Sequence, residues 1–245
     1  MFDRPHHKGI LKILHAFNSD FLQKAECFFG GGTAIVLSLG EYRESNDIDF
    51  LCASINGYRF LRNTVSGDLG QLLKTPIKHL REVRADRYGI RTILEMDGIP
   101  IKVEIVSEGR ITVYGNLDPI FHVPTLSRED MYAEKLLADA DRGMDKSTMS
   151  RDIIDLAMMI NNWGDIPDQS WMKAYAAYGI HVVKEFQKTV ELIHDKKYLA
   201  DCLQKMHMDK TLLDRISTIS GKIPSWISEP DDQARCQRRL KGYEP

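Results

Sequence analysis

The stretch FFGGGTAIVLSLGEYRESNDIDFL, residues 28–51, constrains the fold of this chain more than any other. Gly30, Gly31 and Gly32 in succession allow a tight turn in which backbone N–H groups approach a ligand closely. ECFF before them reads as a short strand. TAIVLSL after them reads as a short helix, with Thr33 near its N-cap and Gly40 as its C′ stop. DIDFLCA reads as a buried strand. Side chains alternate along a strand, so Asp47 and Asp49 share one face while Ile48 and Phe50 turn to the core.

Two carboxylates roughly 7 Å apart along a backbone repel each other and have poor β propensity. A hard divalent cation removes that cost. Mg2+ is typically held by one or two carboxylates plus substrate phosphates, and the start of a helix after a glycine turn is a ready phosphate site. Each half of the pattern also has a plain reading: D-x-D at a solvated strand end, and glycines in a simple strand-to-helix turn. The glycines match neither G-x-x-x-x-G-K-[ST] nor G-x-G-x-x-G.

The remaining chain is that of an ordinary globular protein. It has 245 residues, 43% hydrophobic and 28% charged, with a net charge of -2, so no global charge demands nucleic acid. No apolar run approaches the roughly 20 residues that span a bilayer, and the N-terminus lacks the pattern of a signal peptide. Cys27, Cys52, Cys202 and Cys236 are far apart in sequence, as expected of a cytoplasmic chain without a disulfide framework or zinc knuckle. Eight histidines show no metal-binding spacing and read as surface or packing residues.

Residues 8–24 carry apolar side chains at helical spacing and predict one amphipathic helix. Asp97-Gly98 between two β-rich runs predicts a hairpin that pairs Met96 with Ile99 and Arg91 with Glu104. From Leu126 the periodicity is helical. Ser127 and Asp130 resemble a capping box opening a helix that runs to about Arg142. MSRDIIDLAMMINNW predicts a second helix, and three further segments, including residues 181–206 as one, predict more. The expectation is an α+β fold: a mixed sheet with flanking helices in residues 1–125, followed by a helical bundle in 126–245. The basic tail with Arg235, Arg238, Arg239 and Lys241 either contacts an RNA backbone or simply solubilises the chain.

GGTAIVLSLGEYRESNDIDF resembles the AbiEii/AbiGii toxin family of nucleotidyltransferases, within the DNA polymerase beta-like superfamily, in the GGTA start, the Arg43-x-Ser45 pair and the spacing of D-I-D-F. The resemblance continues in AEKLLADADR, with Lys135 and Arg142, and in RDIIDL, with Asp152 and Asp155. It implies Mg2+-dependent transfer of a nucleoside monophosphate from an NTP to a hydroxyl, RNA such as tRNA being the expected acceptor, with two Mg2+ (or Mn2+) ions and a separate antitoxin protein. A transferase modifying a protein or small molecule, or an inactive nucleotide- or partner-binding protein, is the alternative. Gly31, Gly32, Thr33, Arg43 and Ser45 are then expected at the nucleotide. Asp47 and Asp49 are expected at the metal, with Glu104 as third carboxylate or general base. Glu104 has an alternative partner in Arg91 across the hairpin, and Asp97, Glu95 and Glu108 are weaker candidates. Lys135 and Arg142 lie two turns apart on one helix face and are expected to clamp phosphates, with Asp152 orienting them. The plain alternatives are a Lys135–Asp139 pair at i,i+4 and a solvated face bearing Asp152 and Asp155.

Overall fold

The computed structural model describes residues 2–228, which fall into two compact units. The first takes in the described residues up to Glu41 together with Ser45–Ser127; the second takes in Tyr42–Glu44 and the described chain from Arg128.

In the first unit, helices α1 (Pro5–Ala16) and α2 (Ser19–Lys24) replace the single helix expected over residues 8–24. Phe17 is extended, and the Asn18 side chain caps α2 by accepting from the Asp20 N–H. An Asn that bonds its neighbours' backbone competes with the helical ladder, and here it wins. Strand β1 (Cys27–Gly30) runs into α3 (Gly31–Ser38), then come β2 (Asp47–Cys52), α4 (Ile55–Thr64), β3 (His79–Ala85), β4 (Ile90–Met96), β5 (Ile99–Ser107), β6 (Gly115–Leu117) and β7 (Pro124–Leu126).

The strands form one seven-stranded mixed sheet in the order β3-β4-β5-β2-β1-β7-β6. β2 runs parallel to β5 and antiparallel to β1, and β1 runs parallel to β7. The β4–β5 hairpin has the register expected from its Asp-Gly turn, with Met96 opposite Ile99 and Arg91 opposite Glu104. One face of the sheet is core: Ile48, Phe50, Ile90, Leu94, Ile101, Val103 and Ile105 are at most 1% exposed. The other face carries Asp47, Asp49, Arg91, Ile93, Lys102 and Glu104, all partly or fully exposed. Gly40 has φ +80° just after α3, the left-handed stop expected there.

The second unit is helical: α5 (Arg128–Arg142), α6 (Arg151–Trp163), α7 (Asp168–Tyr178), α8 (Ile180–His194), α9 (Lys196–Lys205) and α10 (Leu213–Ser217). The single helix expected over 181–206 breaks at Asp195. That residue is extended and its carboxylate accepts the Lys197 and Tyr198 N–H groups, which caps α9. Among the described residues no helix is long and apolar enough to cross a membrane. The basic tail expected from Arg235 to Lys241 lies outside the described residues.

Candidate active site

The glycine turn and the paired aspartates meet where β1 and β2 pair, with Gly30 opposite Asp49. Gly31, not the whole GGG run, makes the turn: its φ of +68° lies in the left-handed region, and α3 begins there with Gly30 at the N-cap. A Cβ at Gly31 would stand 2.7 Å from Asp49 Oδ2, so any larger residue must push that carboxylate aside. The Asp49 carboxylate therefore lies against the first residue of a helix, where the helix dipole favours an anion. Gly31→Ala is expected to lose about 1–2 kcal/mol from backbone strain and to displace Asp49. Gly40→Ala shares the positive φ (+80°) but meets nothing within 4 Å. Thermal melts should show a stability loss in both variants, the larger one in Gly31→Ala, where the new Cβ also meets Asp49.

Thr33 is the third residue of α3, not its N-cap, and is 1% exposed. Its hydroxyl donates to the Asp47 carbonyl at 2.5 Å and pairs with Ser45 Oγ at 2.7 Å. With the Thr33 proton used on Asp47, Ser45 is the donor in that pair. The Ser45 N–H in turn donates to His7 Nε2 at 3.2 Å, and His7 Nδ1–H donates to Glu41 Oε1 at 2.7 Å. His7 is fully buried, and burial holds its basicity below the usual histidine range. This chain fixes the backbone at the head of β2. Sequence reasoning passed over His7 because it belongs to no metal-binding pattern.

Across the open face, β5 places Lys102 in register with Asp47 and Glu104 in register with Asp49. Glu104, expected as a third metal carboxylate, has both oxygens on cations: Arg91 Nε donates to Oε1 at 2.6 Å and Lys102 Nζ to Oε2 at 2.7 Å. Burial works to raise its pKa, but these two cations bring it below the usual range. The hydrogen bond to Glu104, then the charges of Glu104, Asp47 and Asp49, push Lys102 up. Three carboxylates thus share the field of one ammonium. Among the described residues no group of three or more His, Cys, Asp or Glu side chains is placed to hold a metal ion. Asp47 and Asp49 nevertheless suit Mg2+, which needs only one or two protein carboxylates beside substrate phosphates. Glu104 stands in register with Asp49, each of its oxygens holding one cation. Glu95 pairs with Lys78, Asp97 with Lys12, and Glu108 with Arg110.

The second unit buries a separate cation–carboxylate network. Arg43 grips Asp155 bidentately, Nε to Oδ1 at 2.7 Å and Nη2 to Oδ2 at 2.8 Å, and donates to the Glu44 carbonyl at 2.8 Å. Tyr42 Oη also donates to Asp155 Oδ1, at 2.6 Å. Lys135 Nζ lies 2.8 Å from Asp152 Oδ1 and 2.7 Å from Asp155 Oδ2. Arg142 donates to both Asp152 oxygens, at 2.7 and 3.1 Å. Burial works to lower Lys135, yet the two aspartates carry it above the ordinary lysine value. Burial works to raise both aspartates, yet Lys135 with Arg142 holds Asp152, and Arg43 with Lys135 holds Asp155, below theirs. Neither plain alternative is found here: Asp152 and Asp155 are at most 1% exposed, and Lys135 pairs with them, not with Asp139.

Asp139 instead accepts from Thr189 Oγ1 at 2.7 Å, and its Oδ1 has no hydrogen-bond partner. Burial raises its carboxyl from 3.8 to about 8. Between those values the folded chain keeps a proton that the unfolded chain has lost. The stability this contributes is complete below the unfolded value and is lost as the pH rises toward the folded one, with a slope up to about 1.4 kcal/mol per pH unit. Asp139→Asn should remove that slope, so urea midpoints at pH 5, 7 and 9 should fall in the wild type and stay more level in the variant.

The family model for the nucleotidyl transferase AbiEii toxin of type IV toxin–antitoxin systems matches residues 12–221. A Helicobacter pylori protein assigned as a nucleotidyltransferase shares the fold at 14% identity, covering 98% of this chain and 96% of its own, with a TM-score of 0.54. JHP933 from Helicobacter pylori follows at 15% identity, 99% and 97% coverage and a TM-score of 0.48. The nucleotidyltransferase toxin MenT4 from Mycobacterium tuberculosis is 14% identical, with 99% and 96% coverage and a TM-score of 0.41. No curated protein matches the chain.

Proposed function

Because the chain belongs to the AbiEii toxin family of nucleotidyltransferases, we propose that it transfers a nucleoside monophosphate from an NTP to a hydroxyl of an RNA acceptor such as tRNA, with Mg2+. The observation that carries this reading is the open-face pair Asp47 and Asp49, set against the Gly31 turn at the start of α3. Asp47 and Asp49 would hold the metal, and the backbone amides of Gly31 and Gly32 would meet the triphosphate. Bound Mg2+ would supply charge neutralisation to the phosphates and polarise the attacking hydroxyl. The acceptor oxygen attacks the α-phosphorus as the hydroxyl proton passes to solvent, the bond to the β-phosphate oxygen breaks, and pyrophosphate leaves. Thr33 and Ser45 act through the Asp47 backbone, keeping the carboxylates aimed.

Arg43, whose side chain is committed to Asp155 and Glu44, anchors the segment leading into Ser45 in place of touching the nucleotide. Lys135, 5% exposed, uses two of its three N–H donors on Asp152 and Asp155. Arg142, its side chain 42% exposed, keeps outward donors. Asp152 orients both.

The Arg91–Glu104 bond supports a second reading of Glu104. With both oxygens engaged it is a poor proton acceptor and serves to station Arg91 and Lys102 beside Asp49 and Asp47. An NTP and an antitoxin are the partners implied by the family. Cytoplasmic location and dependence on Mg2+, with Mn2+ as substitute, belong to the same proposal.

The test is a transfer assay: purified protein, Mg2+, each labelled NTP in turn and total bacterial RNA, beside Asp47→Ala/Asp49→Ala. Label on RNA with one NTP, absent in the variant, supports the reading. Label on protein moves the acceptor to a side chain.

A further inference from the structure

We propose that the β3–β4 edge of the open face is a track for the phosphate backbone of the acceptor RNA, leading to Asp47 and Asp49; this rests on the transferase reading of those aspartates. Strand register lines the side chains up. Arg84 of β3 stands opposite Arg91 of β4, Arg91 opposite Glu104 of β5, and Glu104 opposite Asp49 of β2. Beside that row runs a second, Arg81–Ile93–Lys102–Asp47, by the same pairings. Partners in register share a face of the sheet, and the register shift between Arg81 and Arg84 puts both, three residues apart, opposite same-face partners on β4, so four cations lead from the sheet's edge strand to the carboxylates.

The fold gives two of these cations little structural work. The Arg84 side chain is 82% exposed and its nearest carboxylate, Asp86, is 3.8 Å away, a surface pair of little worth. Arg81 is exposed and makes no ion pair among the described residues. β3 is exposed on both faces, and charges on an edge strand do discourage strand pairing. That role needs no alignment with Asp49, yet Arg84 is aligned with it.

The span from Arg84 to Asp49 is three strand spacings, about 14 Å. A nucleotide seated at the Gly31 turn has no use for cations that distant, whereas a polymer with a charge on every residue does. At the β3–β4 turn Tyr88 is 63% exposed, with Arg87 over its ring at 4.6 Å. An exposed ring beside a cationic track provides a stacking surface for an unpaired base.

Fluorescence anisotropy of a labelled 20-nucleotide single-stranded RNA tests the track on the full chain, with labelled-NTP binding in Mg2+ measured in parallel. The Arg81→Glu/Arg84→Glu variant should bind the RNA at least tenfold more weakly. The slope of log affinity against log salt should become shallower by about 1.4, at roughly 0.7 per phosphate contact on a single strand. NTP binding should persist. Lys184→Glu/Lys205→Glu carries the same charge change on exposed positions of the helical unit and should keep the wild-type RNA affinity. Equal RNA binding by both variants, or none by the wild type at low salt, overturns the track while leaving NTP binding to stand. Loss of Mg2+-dependent NTP binding in the wild type itself would instead bring down the transferase reading. Milder Arg81→Gln/Arg84→Gln removes the same two phosphate contacts without adding repulsion, so it should show about the same slope change with a smaller loss of affinity, which a folding defect would not reproduce.

Discussion

Asp155→Ala is expected to lower the unfolding free energy by about 3–5 kcal/mol, the cost of breaking a buried ion pair from one side. Asp155 has no measurable exposure and is gripped by Arg43, Lys135 and Tyr42 at 2.6–2.8 Å. Its removal leaves a guanidinium that is 6% exposed and an ammonium that is 5% exposed with only Asp152 nearby to balance them. The guanidinium cannot neutralise, since burial would have to overcome the very high intrinsic basicity of Arg43. Tyr42→Phe, which deletes one hydrogen bond to the same carboxylate, should cost about 1–2 kcal/mol. Asp214→Ala, which removes the exposed Lys196–Asp214 pair, also 2.6 Å long, should change stability by less than about 1 kcal/mol. Urea denaturation of the three variants orders them. A value for Asp155→Ala no larger than that for Asp214→Ala would mean that water reaches the network.

Asp47→Ala/Asp49→Ala is expected to abolish nucleotide transfer, by three orders of magnitude or more, about 4 kcal/mol of barrier. The fold should tolerate it. Both side chains sit on the open face, and removing two like charges from adjacent same-face positions relieves repulsion. Stability should therefore hold or rise slightly while activity vanishes, a combination that a misfolded variant cannot give. Retained transfer at wild-type rates would remove the pair from the chemistry. Glu104→Gln placed in the same assay separates its two roles. A metal ligand or base should fall nearly as far as Asp49, whereas a residue that stations Arg91 and Lys102 should lose about tenfold, since the amide oxygen still accepts from one cation.

Short-range physics made much of the first unit readable. The Asp97-Gly98 turn fixed the β4–β5 register by counting, the alternation of DIDF put both aspartates on one face, and Gly40 marked the end of α3. Where a local side-chain bond competed with periodicity, the periodicity misled: Asn18 and Asp195 each split an expected helix. β3 gave no signal because an edge strand exposed on both faces has no apolar period of two. α4 was missed for its own reason: Gly57 near its start, a poor helix former, is required where the Ala25 carbonyl would lie 2.0 Å from any Cβ.

What the sequence determined by itself is the family, the glycine turn and the shared face of Asp47 and Asp49, all set by residues within about 25 positions of one another or by motif spacing. Only the tertiary structure decided the partners of the charges. Glu104 went to Arg91 and Lys102, Lys135 to Asp152 and Asp155 and not Asp139, and Arg43 to Asp155, 112 residues away. A charged side chain's periodicity says which way it points, but its partner is set by which opposite charge is desolvated beside it, and desolvation exists only once the chain has packed.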